Sequence, residues 1–118
     1  MMKYMLLIHH GHSADDVETW EALSAEEQQA VYADYQAINE TPGVTPGEGL
    51  DAAEMATTIR VEGGKPLVTD GPFVDVKEAI GGFLFFEADD LDAAIELAAR
   101  IPAARLGGAV EIRPTKQW

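Results

Sequence analysis

Two stretches of this chain are apolar on both sides of a two-residue alternation. In residues 3–9, KYMLLIH, Tyr4, Leu6 and Ile8 share one face and Met5 and Leu7 the other. In residues 81–88, GGFLFFEA, Phe83 and Phe85 oppose Leu84 and Phe86. A sheet wetted on one face alternates apolar with polar residues, so both stretches predict strands covered on both faces. Other segments have helical spacing. Ser13 can cap a short helix carrying Val17, Trp20 and Leu23 on one side. Ser24 and Glu27 have capping-box spacing, Glu26 and Glu27 suit the positive end of the helix dipole, and Val31, Tyr35 and Ile38 recur on one face. That helix should end before Pro42-Gly43. Asp89 or Asp90 caps a later helix with Leu91, Ala94, Ile95 and Ala98 together, and Pro102 ends it.

Between these segments the pattern is broken by turn residues. Residues 41–56, TPGVTPGEGLDAAEMA, read as a loop with a short edge strand near Gly47 to Leu50. ATTIRVEGGKPLVTD predicts a hairpin turned at Gly63-Gly64. Its register puts Ile59, Val61, Pro66 and Val68 on one face, and Thr58, Arg60, Leu67 and Thr69 on the other. Pro66 has no N–H to donate, so its strand belongs at an edge. After Gly107-Gly108 comes a last strand, AVEIRP, with Val110 and Ile112 inward. The order is β-α-β-(β)-β-α-β, without repeats or linkers, which predicts one domain over residues 1–118. Its fold class is α+β: a ferredoxin-like antiparallel sheet with helices on one face. Two helices cover one sheet face, yet two strands are apolar on both. The simplest cover for the other face is a second copy, sheet against sheet.

Composition narrows the partners. Eight Lys and Arg oppose twenty-one Asp and Glu, a net charge of −13, which disfavours nucleic acid and anionic membranes. A local Arg or Lys still permits a small anionic ligand. The absence of cysteine removes disulfides, thiolate nucleophiles and Cys-ligated zinc. Met5 to Ile8 is too short for a signal-peptide core, and no stretch approaches a membrane span, so the expected location is cytoplasmic.

The chemistry-bearing residues concentrate in two places. His9-His10-Gly11-His12 holds every histidine of the chain, with Asp15 and Asp16 behind it. It has neither the spacing of a helical HExxH site nor that of a zinc-finger site, so no metal is expected. The alternatives are a polar strand end, or one histidine acting as acid or base at a pocket. Strand alternation sets His10 with Tyr4, Leu6 and Ile8, and His9 with Met5 and Leu7. Asp70-Gly71-Pro72-Phe73 reads equally as a turn built by Asp, Gly and Pro, or as a turn presenting Asp70 at a pocket mouth with Phe73 beneath a ligand. Lys77-Glu78 reads as a solvated pair, or Lys77 as a cation for a bound enolate or carboxylate. Arg60 and Arg113 lie on strands, paired with Glu111 or Glu48 or holding an anionic ligand. Neither GGF nor GEG has the context of a phosphate loop, and no serine sits in a nucleophile elbow.

Asp70-Gly71-Pro72-Phe73, followed by Lys77-Glu78, Gly81-Gly82-Phe83, the helix start Asp89 to Ile95 and Ile101-Pro102-Ala103-Ala104-Arg105, resembles the YCII-related family in its DGPF-motif branch. MKYMLLI and GEGL…ATTIRV also fit, so the resemblance spans roughly residues 2–114. It implies a ferredoxin-like subunit forming a dimeric α+β barrel. The wider superfamily includes small enzymes acting on ring compounds, and a His–Asp pair has been proposed as catalytic in some YCII-like members. Members more usually carry a Tyr and acidic or small residues at the HHGH position. Some relatives are joined to sigma-factor-like segments; none is expected here.

The function expected from these readings is acid/base chemistry, of isomerisation or elimination type, on a small cyclic or carbonyl compound without a cofactor. Asp70, His10 and His9 are the candidate acid/base groups. Phe73, Lys77, Arg60 and His12 are the candidate ligand contacts. The alternatives are a non-catalytic ligand-binding or regulatory dimer, and a dimerising partner protein without a ligand.

Overall fold

The computed structural model describes residues 1–10, 20–73 and 79–116. The apolar strand at the start is β1 (Met2–His10), and the Phe-rich strand is β5 (Ala79–Ala88). They pair antiparallel at the centre of a four-stranded sheet, where two-sided apolar strands belong. β2 (Val44–Gly49) flanks β5 and β6 (Ala109–Pro114) flanks β1, giving the order β2-β5-β1-β6. The edge strand expected near Gly47 to Leu50 thus starts earlier, at Val44. All its neighbours are antiparallel and the sheet is open.

Helix α1 (Ala25–Asn39) opens with the expected capping box: Ser24 Oγ accepts from the Glu27 N–H, and the Glu27 carboxylate accepts from the Ser24 N–H. Val31 and Ile38 are its buried residues, with Tyr35 half-buried. Helix α2 (Leu91–Ala99) is capped by Asp90, whose carboxylate accepts from the Ala93 N–H. Its buried face differs from the expectation. Ala94, Leu97 and Ala98 are inward, while Leu91 and Ile95 are each about half exposed. Ile101, fully buried just past the helix, extends that i, i+3, i+4, i+7 stripe and turns Leu91 and Ile95 outward. Both helices pack on one sheet face, with Tyr4, Leu6, Ile8, Leu84, Phe86 and Ala88 meeting Ile38, Ala94, Leu97 and Ala98 in one core. This is a ferredoxin-like α+β arrangement. The expected Ser13-capped helix starts outside the described residues, and residues 20–22 are helical.

The predicted hairpin forms with the predicted register, but apart from the main sheet. β3 (Thr57–Glu62) and β4 (Lys65–Asp70) make their own two-stranded sheet. Ile59 faces Val68 and Val61 faces Pro66 across it. The turn uses Gly63 and Gly64 at φ +58° and +78°, which side chains resist. Removing this hairpin leaves β-α-β-β-α-β, so it is an insertion between the sheet neighbours β2 and β5. The molecule is flat, 49 × 41 × 18 Å. No helix among the described residues is long and apolar enough to cross a membrane.

Candidate functional site

Among the described residues, no element covers the sheet face opposite the helices. Met5 and Leu7 from β1 and Phe83 and Phe85 from β5 form its apolar centre, each half-buried. Phe83 and Phe85 meet edge to face with ring centroids 6.2 Å apart. Charged residues edge this centre. The Lys3 ammonium lies 4.8 Å from the Phe85 ring centre, a cation–π distance. Lys3 also stands opposite Glu87 in the strand register.

One end of this face carries a histidine–carboxylate pair. His9 ends β1 on the same side as Met5 and Leu7, and Glu111 stands opposite Leu7 on β6. His9 Nε2 and Glu111 Oε1 are 3.1 Å apart. The other Glu111 oxygen accepts from Arg113 Nε, and Arg113 stands opposite Met5. His9, Glu111 and Arg113 therefore run as a row along the β6 side of the open face. The Arg113 hydrogen bond, seconded by His9, holds the Glu111 carboxyl below the usual carboxylate range. The imidazole is mostly covered, with 21% of its side-chain surface exposed against 38% for Glu111.

His10 points away from this row. Alternation sets it with the core residues Tyr4, Leu6 and Ile8, and β5 makes room for it at Gly81, where a Cβ would overlap the His10 ring. The register between β1 and β5 shifts at this point, between Ile8 and His9. Adjacent histidines thus serve opposite faces of one strand.

The Asp70 motif lies at the base of the hairpin. Asp70 is the last residue of β4, exposed, and faces Thr57. The Gly71 N–H donates to the Ala56 carbonyl and the Thr58 hydroxyl to the Gly71 carbonyl, so the motif closes the hairpin root. Gly71 has φ +97°, the left-handed geometry that reserves this position for glycine. Two expected ligand contacts come together here: the Arg60 guanidinium lies 5.6 Å from the Phe73 ring centre. Lys77 and His12 lie outside the described residues. Among the described residues no three His, Asp or Glu side chains gather as metal ligands would. Arg113 takes Glu111, one of the two partners the sequence offered it. The His9–Glu111 contact was not foreseen. Alternation within AVEIRP already sets Glu111 opposite in face to Val110 and Ile112, but only the β1–β6 register brings it to His9.

A shallow concavity of about 430 Å³ lies at the other end of the open face, bounded by Met1, Lys3, Phe85, Glu87, Thr115 and Lys116. It is wide open to solvent, with Phe85 as its one aromatic side and Lys3, Glu87, Thr115 and Lys116 as polar ones.

Comparison with known proteins gives a family. An uncharacterised protein of Rhizobium meliloti (strain 1021) is 31% identical over 105 residues, covering 85% of each chain. The model of the YCII-related domain matches residues 2–118. The chain therefore belongs to the YCII-related domain family.

Proposed function

We propose that this protein is a cytoplasmic homodimer that moves a proton on a small cyclic or carbonyl compound, with His9 as the acid/base group. The observation that carries the reading is the His9–Glu111 contact, 3.1 Å long, beside an uncovered apolar surface. In the tautomer that donates Nε2–H to Glu111, Nδ1 carries the lone pair. A C–H bond next to a carbonyl breaks, its proton passes to Nδ1, and its electron pair moves into the carbonyl as an enolate. The imidazolium formed is stabilised by the ionised Glu111, which Arg113 keeps charged and oriented. Returning the proton at a different carbon completes an isomerisation with atoms and charge balanced.

The dimer supplies what the open face lacks. A second copy laid over Met5, Leu7, Phe83 and Phe85 would remove apolar surface from water and enclose the His9 end of the sheet. Asp70, with Arg60 and Phe73 at the hairpin root, is proposed as a further wall of the same cavity. The concavity at Lys3 and Phe85 favours a second reading, in which this face holds a small anionic aromatic compound without turnover.

Deuterium uptake tests both. A panel of small cyclic ketones and keto acids is incubated in D2O with the native protein, His9→Gln and Asp70→Asn, and exchange at carbon is followed by NMR. Exchange lost in His9→Gln supports the proposal, and exchange unaffected by that change removes His9 from it. Exchange unaffected by Asp70→Asn removes Asp70. Stabilisation of the melting temperature by panel members without exchange favours the binding reading.

A further inference from the structure

We propose that the β3–β4 hairpin is a dimerisation arm that packs on a second copy of this chain beside its open sheet face. The inference rests on the dimer of the preceding reading and adds a second element to its interface. Ile59, Val61 and Val68 lie on one hairpin face with Pro66 and are 63%, 68% and 65% exposed. No residue of either strand is buried, and among the described residues the two strands pair only with each other. An isolated two-stranded hairpin is at best marginally stable in water, so such an arm needs a surface to lie on. The radius of gyration is 16.2 Å, against about 13.5 Å expected for a compact chain of this length.

Charge favours a second copy as the occupant. The chain carries −13, and two copies approaching at random repel. The arm is neutral, with Arg60 and Lys65 offsetting Glu62 and Asp70. The open face of β1, β5 and β6 is also neutral, with Lys3 and Arg113 offsetting Glu87 and Glu111. The two uncovered apolar surfaces are thus charge-balanced, while the excess of acid lies elsewhere. A nucleic acid or membrane partner would ask for net positive charge, whereas a second copy of the same acidic chain asks for a neutral contact. Area points the same way. A stable interface buries roughly 800 Å² per partner, more than the few side chains of one hairpin face supply, so arm and sheet face are needed together. A two-fold axis satisfies both copies at once.

Sedimentation equilibrium of the native protein is compared with Ile59→Lys/Val68→Lys on the arm and with Leu7→Lys on the sheet face. The arm positions are exposed within the chain, so lysine there leaves the subunit's own packing intact. The expected result is a dimer that the arm variant weakens about a hundredfold or more, because buried ammonium groups lack partners. A dimer of unchanged affinity in the arm variant overturns the inference; if Leu7→Lys still breaks it, the sheet-face reading stands alone. Loss in the arm variant with no effect of Leu7→Lys upholds the arm and removes the sheet face. A native monomer at micromolar concentration overturns both. Because the chain has no cysteine, Val61→Cys carries a polarity-sensitive dye at one position. Its emission should move to the blue with the same concentration midpoint as dimerisation, and an emission independent of concentration overturns the arm.

Discussion

Glu111 has two neighbours of unequal influence, and this makes it the residue whose titration matters. Arg113 does most to keep its carboxyl ionised, and His9 adds to it. A carboxylate that holds its charge to lower pH in the folded chain than in the unfolded one stabilises the fold above the ordinary carboxylate range. That contribution disappears as pH falls through the lowered folded value. Urea midpoints of native protein and Glu111→Gln should therefore differ near neutrality and converge in acid; a constant gap would mean that the charge is immaterial. Steric limits act at the same scale. A Cβ on Gly47 would overlap the Phe83 carbonyl, and one on Gly108 the His9 carbonyl, both backbone atoms that cannot swing aside. Gly47→Ala and Gly108→Ala should each cost about 1–3 kcal/mol by chemical denaturation. Gly108→Ala should also displace the His9 backbone and reduce any His9-dependent exchange, which Gly47→Ala should spare.

At the scale of elements, the ends of the helices were legible and their faces less so. The Ser24–Glu27 box and the Asp90 cap depend on residues three apart, which any observer of the chain can pair. Ser24→Ala should cost about 1 kcal/mol, read as a lower thermal midpoint with helix content retained below it. The face of α2 depends on what it packs against. Leu91 and Ile95 match helical spacing with Ala94 and Ala98, but Ile101 and Leu97 fill the core instead. Ile38, buried in the shared core from α1, should cost about 2–5 kcal/mol when cut to alanine. The hairpin is the reverse case. Its turn and register follow from Gly63-Gly64 and the alternation around it, yet nothing local indicates that it leaves the main sheet.

On the scale of the whole molecule, distribution of charge matters more than its total. In the proposed dimer, two bodies of −13 meeting through neutral surfaces would repel at long range and attract at contact. Raising the salt concentration should then tighten dimerisation, since screening removes the repulsion while leaving apolar burial. Sedimentation over a salt series checks this, and a dimer that salt loosens would instead be held by ion pairs across the interface. Among the described residues the protein is one sheet and one helix layer, with no third layer on the Phe83 and Phe85 side, and its shortest extent is 18 Å.

Sequence alone determined the central strands β1 and β5 with their two-sided apolar character, the caps at Ser24 and Asp90, and the hairpin register, because each rests on neighbours within a few positions. It also set His9 and His10 on opposite sides, since a strand alternates at every residue. Tertiary structure decided the partner of His9. Glu111 lies 102 positions away, and only the antiparallel register of β1 with β6 carries its carboxylate to the imidazole. The same holds for Arg60 and Phe73, which meet because the Asp70 motif folds back at the hairpin root. Long-range pairing depends on which strands become neighbours, and that is set by burial of the whole core rather than by any local pattern.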